Sequence, residues 1–287
     1  RISVHHASQV IGMDEHPGQA LRKKKDASVV VATSLVRDNR CDAVIAPGST
    51  GAAVAAALFG LGRIKGIDRP VIATPMPTVS GITVMLDSGA NSNSKPKHLV
   101  QGALMGSEYA KLLLGKENPT VGLLNIGEEA TKGNDVVLAT YPILEGMKTI
   151  NFKGNIEGRD IPKGAVDVVV CDGFVGNVVL KFAEGLVTGL TQLVKDSIMA
   201  GSIFAKIGAM LVKPALKKMA KRLDHTENGG APLLGVNGVF MIAHGSSKAK
   251  EIKTAIEIAS DLVERKIIQH IRETMDIEGA LKYDYDE

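Results

Sequence analysis

Apolar and polar positions along the chain repeat one unit: a short apolar run, a polar loop containing glycine, then a longer segment with helical spacing. Residues 1–4 are expected as a strand, followed by a polar turn around Asp14-Glu-His-Pro17. Residues 20–37 read as one helix, with Val29, Val30, Ala32 and Val36 apolar and a basic cluster at Arg22-Lys-Lys-Lys25. Residues 42–46 form a short buried strand that runs into Pro47-Gly-Ser-Thr-Gly51, and 52–61 have helix-forming composition. Prolines 70, 75 and 77 make residues 69–77 an edge strand with an irregular end. A strand over 81–86 ends in Asp87-Ser-Gly-Ala-Asn91, and an amphipathic helix over 97–114 stops at Gly115. Strands follow at 121–126, 150–153, 166–171 and 238–243, with helices at 135–147, from Val178 onward, and over 248–275. Strand, glycine loop and helix in alternation predict an α/β protein with a doubly wound, mostly parallel sheet.

The loops at the strand ends carry the candidate chemistry. Val121-Gly-Leu-Leu-Asn-Ile-Gly127 leads into Glu128-Glu-Ala-Thr-Lys132-Gly-Asn134. Ligands of open α/β sheets bind at the carboxyl ends of strands, where Lys132 would project. The alternative is a solvated loop lysine. Gly48, Ser49, Thr50 and Gly51 precede a helix, an arrangement that turns backbone N–H groups and the positive end of the dipole toward a phosphate. The spacing is neither a Walker loop nor a GxGxxG fingerprint. Asp172, Gly173, Gly176 and Asn177 end another strand, and His244, Gly245, Ser246 and Ser247 a fourth. Four such loops on one sheet edge are expected to converge on a phosphate-binding crevice.

Residues 178–224 break the alternation with a long helical excursion. Ile198, Met199, Ile203, Phe204, Ile207, Met210 and Leu211 recur near helical spacing, and Lys206, Lys213, Lys217, Lys218, Lys221 and Arg222 lie near or opposite them. Pro214 is expected to bend or end the helix. An inter-subunit helix pair with a solvated basic face accounts for this, and a basic hairpin touching an anionic membrane or acidic protein is compatible with it.

Composition narrows the field. The 287 residues are 45% hydrophobic and 23% charged, enough for one large α/β domain or two smaller ones, and a single domain spanning the chain is expected. Aromatics at 3% and no Trp argue against nucleic-acid binding by base stacking. A net charge of +3 suits an acidic partner without requiring one. Cys41 and Cys171 form no CxxC pair, so neither a disulfide framework nor a metal site is expected, and a reducing cytoplasm is the default. No uninterrupted apolar run reaches the ~20 residues of a membrane span. The chain opens on Arg1 rather than Met, and is expected to lack its first strand, loop and helix.

Several long motifs resemble the PlsX family, the phosphate acyltransferases of bacterial phospholipid synthesis. They are Leu61-Gly-Arg-Ile-Lys-Gly-Ile-Asp-Arg-Pro70, Val121-Gly-Leu-Leu-Asn-Ile-Gly-Glu-Glu129 with Thr131-Lys-Gly-Asn134, Gly154-Asn-Ile-Glu-Gly-Arg-Asp160, Val168-Val-Val-Cys-Asp-Gly-Phe-Val-Gly-Asn177 and Ala243-His-Gly-Ser-Ser247. The resemblance runs in order over essentially the whole chain. It implies transfer of a fatty acyl group from acyl carrier protein to inorganic phosphate. It also implies a fold related to isocitrate/isopropylmalate dehydrogenases and phosphotransacetylases, and no cofactor. By the same resemblance the protein is a cytoplasmic homodimer with peripheral membrane contact, upstream of a membrane glycerol-3-phosphate acyltransferase. The family's N-terminal Asp-Ala-Met-Gly-Gly-Asp loop is absent, and its Ala-Gly-Asn-Thr-Gly is Pro47-Gly-Ser-Thr-Gly51 here.

The residue types fit that reaction. Phosphate is itself the nucleophile, so the protein need only hold it and stabilise an oxyanion. Lys132 offers charge and Asn177 a hydrogen-bond donor, unless Asn177 is a helix cap. Gly48 to Gly51 and Gly245 to Ser247 offer amides and hydroxyls. His244 acts as a base or holds its loop; Asp172 orients Lys132 or a loop amide; Cys171 reads as core. The rivals are a phosphotransacetylase-like enzyme using a CoA thioester and a non-catalytic membrane or scaffold module. A dehydrogenase lacks its glycine fingerprint here.

Overall fold

A computed structural model describes residues 2–223 and 229–280. The first elements are α1 (Pro17–Lys23), α2 (Ser28–Arg37), β1 (Ala43–Pro47), α3 (Thr50–Gly60), β2 (Val71–Ile72), β3 (Thr74–Thr78), β4 (Gly81–Leu86) and α4 (Pro96–Leu114). Then come β5 (Thr120–Asn125), α5 (Asp135–Gly146), β6 (Asn151–Glu157), β7 (Val168–Val170), α6 (Gly173–Ala200) and α7 (Ile203–Leu223). The chain closes with β8 (Ala231–Leu234), β9 (Val239–Ala243), α8 (Ala249–Glu264) and α9 (Ile267–Ala280).

The α/β class is as expected, but the single sheet is not. The strands form a four-stranded sheet ordered β1-β9-β8-β2 and a five-stranded sheet ordered β3-β4-β7-β5-β6. β1 is parallel to β9, and β4, β7, β5 and β6 are parallel in turn. The β2/β8, β8/β9 and β3/β4 pairs are antiparallel. The antiparallel pairings fall on short elements that the sequence reading did not separate: β8 was not read as a strand, and β2 and β3, read as one, part at Ala73, whose N–H donates to Pro232 O at 3.1 Å. Pro75 and Pro77 lie on β3, an edge strand as expected.

The sheets are stitched at one junction. Ile72 N–H, at the end of β2, donates to Asp87 Oδ1 at 3.1 Å, and Ser88 N–H donates to Ile72 O at 3.1 Å. Because β2 runs parallel to β9 through its two antiparallel pairings, the carboxyl ends of both sheets meet here. Below the junction α4 is buried on every side from His98 to Ala110, as a central core helix must be. Gly115 ends it in the left-handed region at φ 65°, the stop read from the sequence.

Three local expectations fail for identifiable reasons. Residues 2–8 form no strand; instead Gln9 bridges Ala27, with Gln9 N–H to Asp26 O at 3.1 Å and Ser28 N–H to Gln9 O at 3.2 Å. That bridge splits the expected 20–37 helix into α1 and α2. The closing helix breaks at Lys266, φ 54°, which lets Ile267, Ile271 and Met275 of α9 turn into the main core. Pro214 neither ends nor interrupts α7, in which it lies.

No strand interrupts residues 177–223, and the excursion is the paired helices α6 and α7. Much of their apolar surface is uncovered: Phe182 is 69% exposed and Phe204 80%. α6, 28 residues, is long and apolar enough to cross a membrane by length and composition, though only 11% of its most apolar window is buried. Counting uninterrupted runs missed it, because Lys181 and Glu184 punctuate the helix without lowering its mean hydropathy below that of a span.

Candidate active site

Two pairs of loops stand at the joined strand ends. β1 and β9 are parallel neighbours with Pro47 opposite Ala243, so their loops leave side by side. Gly48 N–H donates to Ala243 O at 3.4 Å, and a Cβ on Gly245 would lie 3.7 Å from Gly48 Cα. Ser49 caps α3, its Oγ accepting from Ala52 N–H at 3.4 Å. Its hydroxyl hydrogen remains free to donate. Thr50 and Gly51 are exposed in the first turn, where N–H groups lack helical partners. Across from them Ser246 N–H donates to His244 Nδ1 at 3.2 Å, with Ser246 Oγ 2.6 Å from the same nitrogen. Nδ1 therefore accepts, and His244 braces its loop. Ser247 N–H closes the turn onto His244 O at 3.0 Å.

The second pair comes from β5 and β7, parallel neighbours in the other sheet. After β5 the chain turns, with Lys132 N–H donating to Glu129 O at 3.1 Å. It then enters α5 at Asn134, whose Oδ1 accepts from Val137 N–H at 3.0 Å. Lys132 is exposed, and its ammonium has no hydrogen-bond or ion-pair partner among the described residues. After β7, Asp172 Oδ1 accepts from Phe174 N–H at 2.9 Å and Val175 N–H at 3.0 Å, capping α6. The cap is thus Asp172 and not Asn177, which lies in the second turn with its side chain exposed.

Gly173 and Gly176, expected among the substrate contacts, are buried against the 87–91 turn. A Cβ at Gly173 would stand 2.4 Å from Asn91 O, and one at Gly176 1.9 Å from Asp87 O. Their place is close packing, and Asp172's is capping. What they bring together is Asn177 and the turn: a Cβ on Gly89 would be 3.5 Å from Asn177 Cγ.

Sequence reasoning noted that turn but assigned it no role. Asp87 is 3% exposed and accepts from Ile72 N–H, Gly89 N–H, Ala90 N–H, Asn91 N–H and Asn91 Nδ2, at 2.8–3.1 Å. Burial pushes its carboxyl up, against the pull of those donors. The signal was available, since a strand running into Asp-Ser-Gly-Ala-Asn repeats the pattern of the other four loops. Cys171 is buried as read, and burial, with Asp87 and Asp172 nearby, pushes its thiol well above the ordinary value, away from nucleophilic use.

Among the described residues no hydrogen bond or ion pair joins the Gly48–Gly245 loops to Lys132 or Asn177; they share an edge through the Ile72–Asp87 junction. That edge is open. A cavity of about 410 Å³ lies between α5 and the start of β6, beside Tyr141 and Phe152, and one of about 250 Å³ between α4 and α8. Neither includes these loops.

The architecture is that of the phosphotransacylases. It superposes on a phosphotransacetylase from Streptococcus pyogenes with TM-score 0.58 and 18% identity, over 88% of this chain and 75% of that one. For a branched-chain phosphotransacylase from Enterococcus faecalis V583 the TM-score is 0.54 and the identity 15%, over 83% and 79%. The chain belongs to the fatty acid synthesis protein family, whose model matches residues 1–270. It is 55% identical over 276 residues to the phosphate acyltransferase of Desulfitobacterium hafniense (strain DSM 10664 / DCB-2), covering 96% of this chain and 82% of that protein. It is 57% identical over 273 residues to the phosphate acyltransferase of Heliobacterium modesticaldum, covering 95% and 81%. The resemblance read from the motifs is borne out.

Proposed function

We propose that the chain moves a fatty acyl group from a carrier thioester to inorganic phosphate. A phosphate oxygen attacks the thioester carbonyl carbon, and the carbonyl oxygen takes up negative charge. The C–S bond then breaks, and the thiolate leaves with the proton carried by hydrogen phosphate. Acyl-phosphate and free thiol result. The observation that carries this reading is Lys132, an exposed cation without a partner among the described residues, on the same sheet edge as the exposed amide of Asn177. The pair supplies charge and a hydrogen bond to the developing oxyanion. Gly48, Ser49, Thr50 and Gly51, with Gly245, Ser246 and Ser247, hold the phosphate through backbone N–H groups and hydroxyls. No step calls for a cofactor.

Acyl carrier protein is the proposed donor. The full-length protein is expected to form acyl-phosphate from long-chain acyl-carrier protein, with KM rising as salt is added, because an acidic carrier docks by charge. Turnover with a CoA thioester alone would replace the donor. Turnover with neither would remove the enzyme reading and leave a binding module.

The uncovered face of α6 and α7 is proposed to pair with that of a second copy, with Lys213, Lys217 and Lys218 free to meet an anionic cytoplasmic membrane surface. Phe182, Leu186, Leu190 and Leu193 form an exposed stripe at helical spacing. Sedimentation should give a dimer at micromolar concentration, and a monomer for Phe182→Glu combined with Leu190→Glu. A wild-type monomer would rule the pairing out.

A further inference from the structure

We propose that Asn125 and Asn155 form a two-point clasp on the turn that carries Lys132, and act as positioning residues for acyl transfer. The inference rests on the assignment of Lys132 above. The 129–132 turn is closed by Lys132 N–H donating to Glu129 O at 3.1 Å. Asn155, on β6, donates from Nδ2 to that same Glu129 O at 2.9 Å. Asn125, the last residue of β5, donates from Nδ2 to Lys132 O at 2.9 Å, while its Oδ1 accepts from Ile126 N–H at 2.8 Å. The first and last carbonyls of the turn are therefore each fixed to a different strand. β5 and β6 are parallel neighbours, with Leu123 opposite Asn155 and Asn125 opposite Glu157, so the two amides rise from adjacent points of one rigid edge. Downstream, Asn134 caps α5 and fixes the exit from the turn. Gly133, at φ 113°, completes the fit: a Cβ there would stand 2.8 Å from both Asn125 Oδ1 and Val137 Cγ1.

Asn155 is a poor choice for the core it occupies. It is 6% exposed, Leu123 faces it across the strand pair, and Ile156 follows it. Its Oδ1 is buried with no hydrogen-bond partner among the described residues. Leaving a buried acceptor unmade costs at least as much as one neutral hydrogen bond returns. A leucine of similar shape would satisfy the core as well or better. What leucine lacks is the donor to Glu129 O. The amide is thus explained by orientation of the turn and not by stability. Orientation matters because an oxyanion donor misplaced by about 1 Å loses much of its effect, up to about 100-fold.

The test uses the full-length protein and four variants: Asn155→Leu, Asn125→Leu, Lys132→Ala, and Asn155→Leu combined with Lys132→Ala. Rates are followed with the acyl thioester and phosphate each varied. Asn155→Leu is expected to lower kcat about 10- to 100-fold with its melting temperature unchanged or raised. A merely structural residue would lose both together. Asn125→Leu, at a half-buried site that tolerates the change more readily, should lower kcat by a similar factor. Because both act through Lys132, the double variant should run at the rate of Lys132→Ala alone. Wild-type kcat in Asn155→Leu and Asn125→Leu would overturn the clasp, as would a double variant slower than Lys132→Ala by the full single-variant factor. Undiminished activity in Lys132→Ala would instead sink the reading of Lys132 itself, a different result.

Discussion

Lys132→Ala is expected to lower acyl-phosphate formation by about 10²-fold or more, the scale of removing one preorganised oxyanion donor. The same change should leave stability within about 0.5 kcal/mol, because the side chain is exposed and makes no hydrogen bond or ion pair among the described residues. An unpaired ammonium at a strand end contributes little to the folded state and much to a charge that develops only during reaction. Lys132→Arg should recover only part of the rate, since a planar guanidinium on a longer stem does not place its charge where a point ammonium stood. The assay is release of free thiol from the acyl thioester, together with the thermal midpoint. Retention of more than about half the rate in Lys132→Ala would remove this residue from the chemistry.

Gly176→Ala is expected to be the most damaging single-methyl change at the site. The added carbon would lie 1.9 Å from Asp87 O and 3.0 Å from Cys171 Sγ, and neither neighbour is the free end of a flexible side chain. α6 must then shift or the 87–91 turn must open, and either motion moves Asn177 away from Gly89. Overpacking of this kind costs about 1–3 kcal/mol, which lowers the melting temperature by about 2–12 °C in a chain of this size. The rate should fall with it. Gly185→Ala in the same helix is the control. Nothing lies within 4 Å of its Cβ position, so it should be neutral, or stabilising by up to about 1 kcal/mol. Equal melting of the two variants would refute the packing account.

The parts of the site that were legible in the sequence were those with local causes. A β5-like apolar run ending in glycine, a helix stopped by Gly115, and helices opened by small polar residues follow from neighbours in the chain. So does the placement of Lys132 and of the Gly48 and Gly245 loops at strand ends. Strand direction was not legible. Whether β8 pairs with β9 or β2 with β8, and with which sense, depends on partners far apart in sequence. The split of one sheet into two followed from that. Gly173 and Gly176 were read as substrate contacts from their place in a strand-end loop, and what packs closely against them is the protein's own 87–91 turn. Asn155 lay beyond the strand read at 150–153, and its partner, Glu129 O, is a backbone atom that no side-chain pattern announces.

α6 sets a length as well as a direction. Its inner end is capped by Asp172 beside the candidate site, and its 28 residues extend about 42 Å to where α7 begins. An acyl-phosphate made at the inner end would carry an oily tail that water disfavours. Along the same rod, outside the Phe182–Leu193 stripe proposed to pair, Val178 near the site and Val194 and Met199 toward the far end are exposed apolar surface of similar chemical character. The helix is therefore a ruler between the place where such a product would form and the surface on which its tail would be less costly to hold.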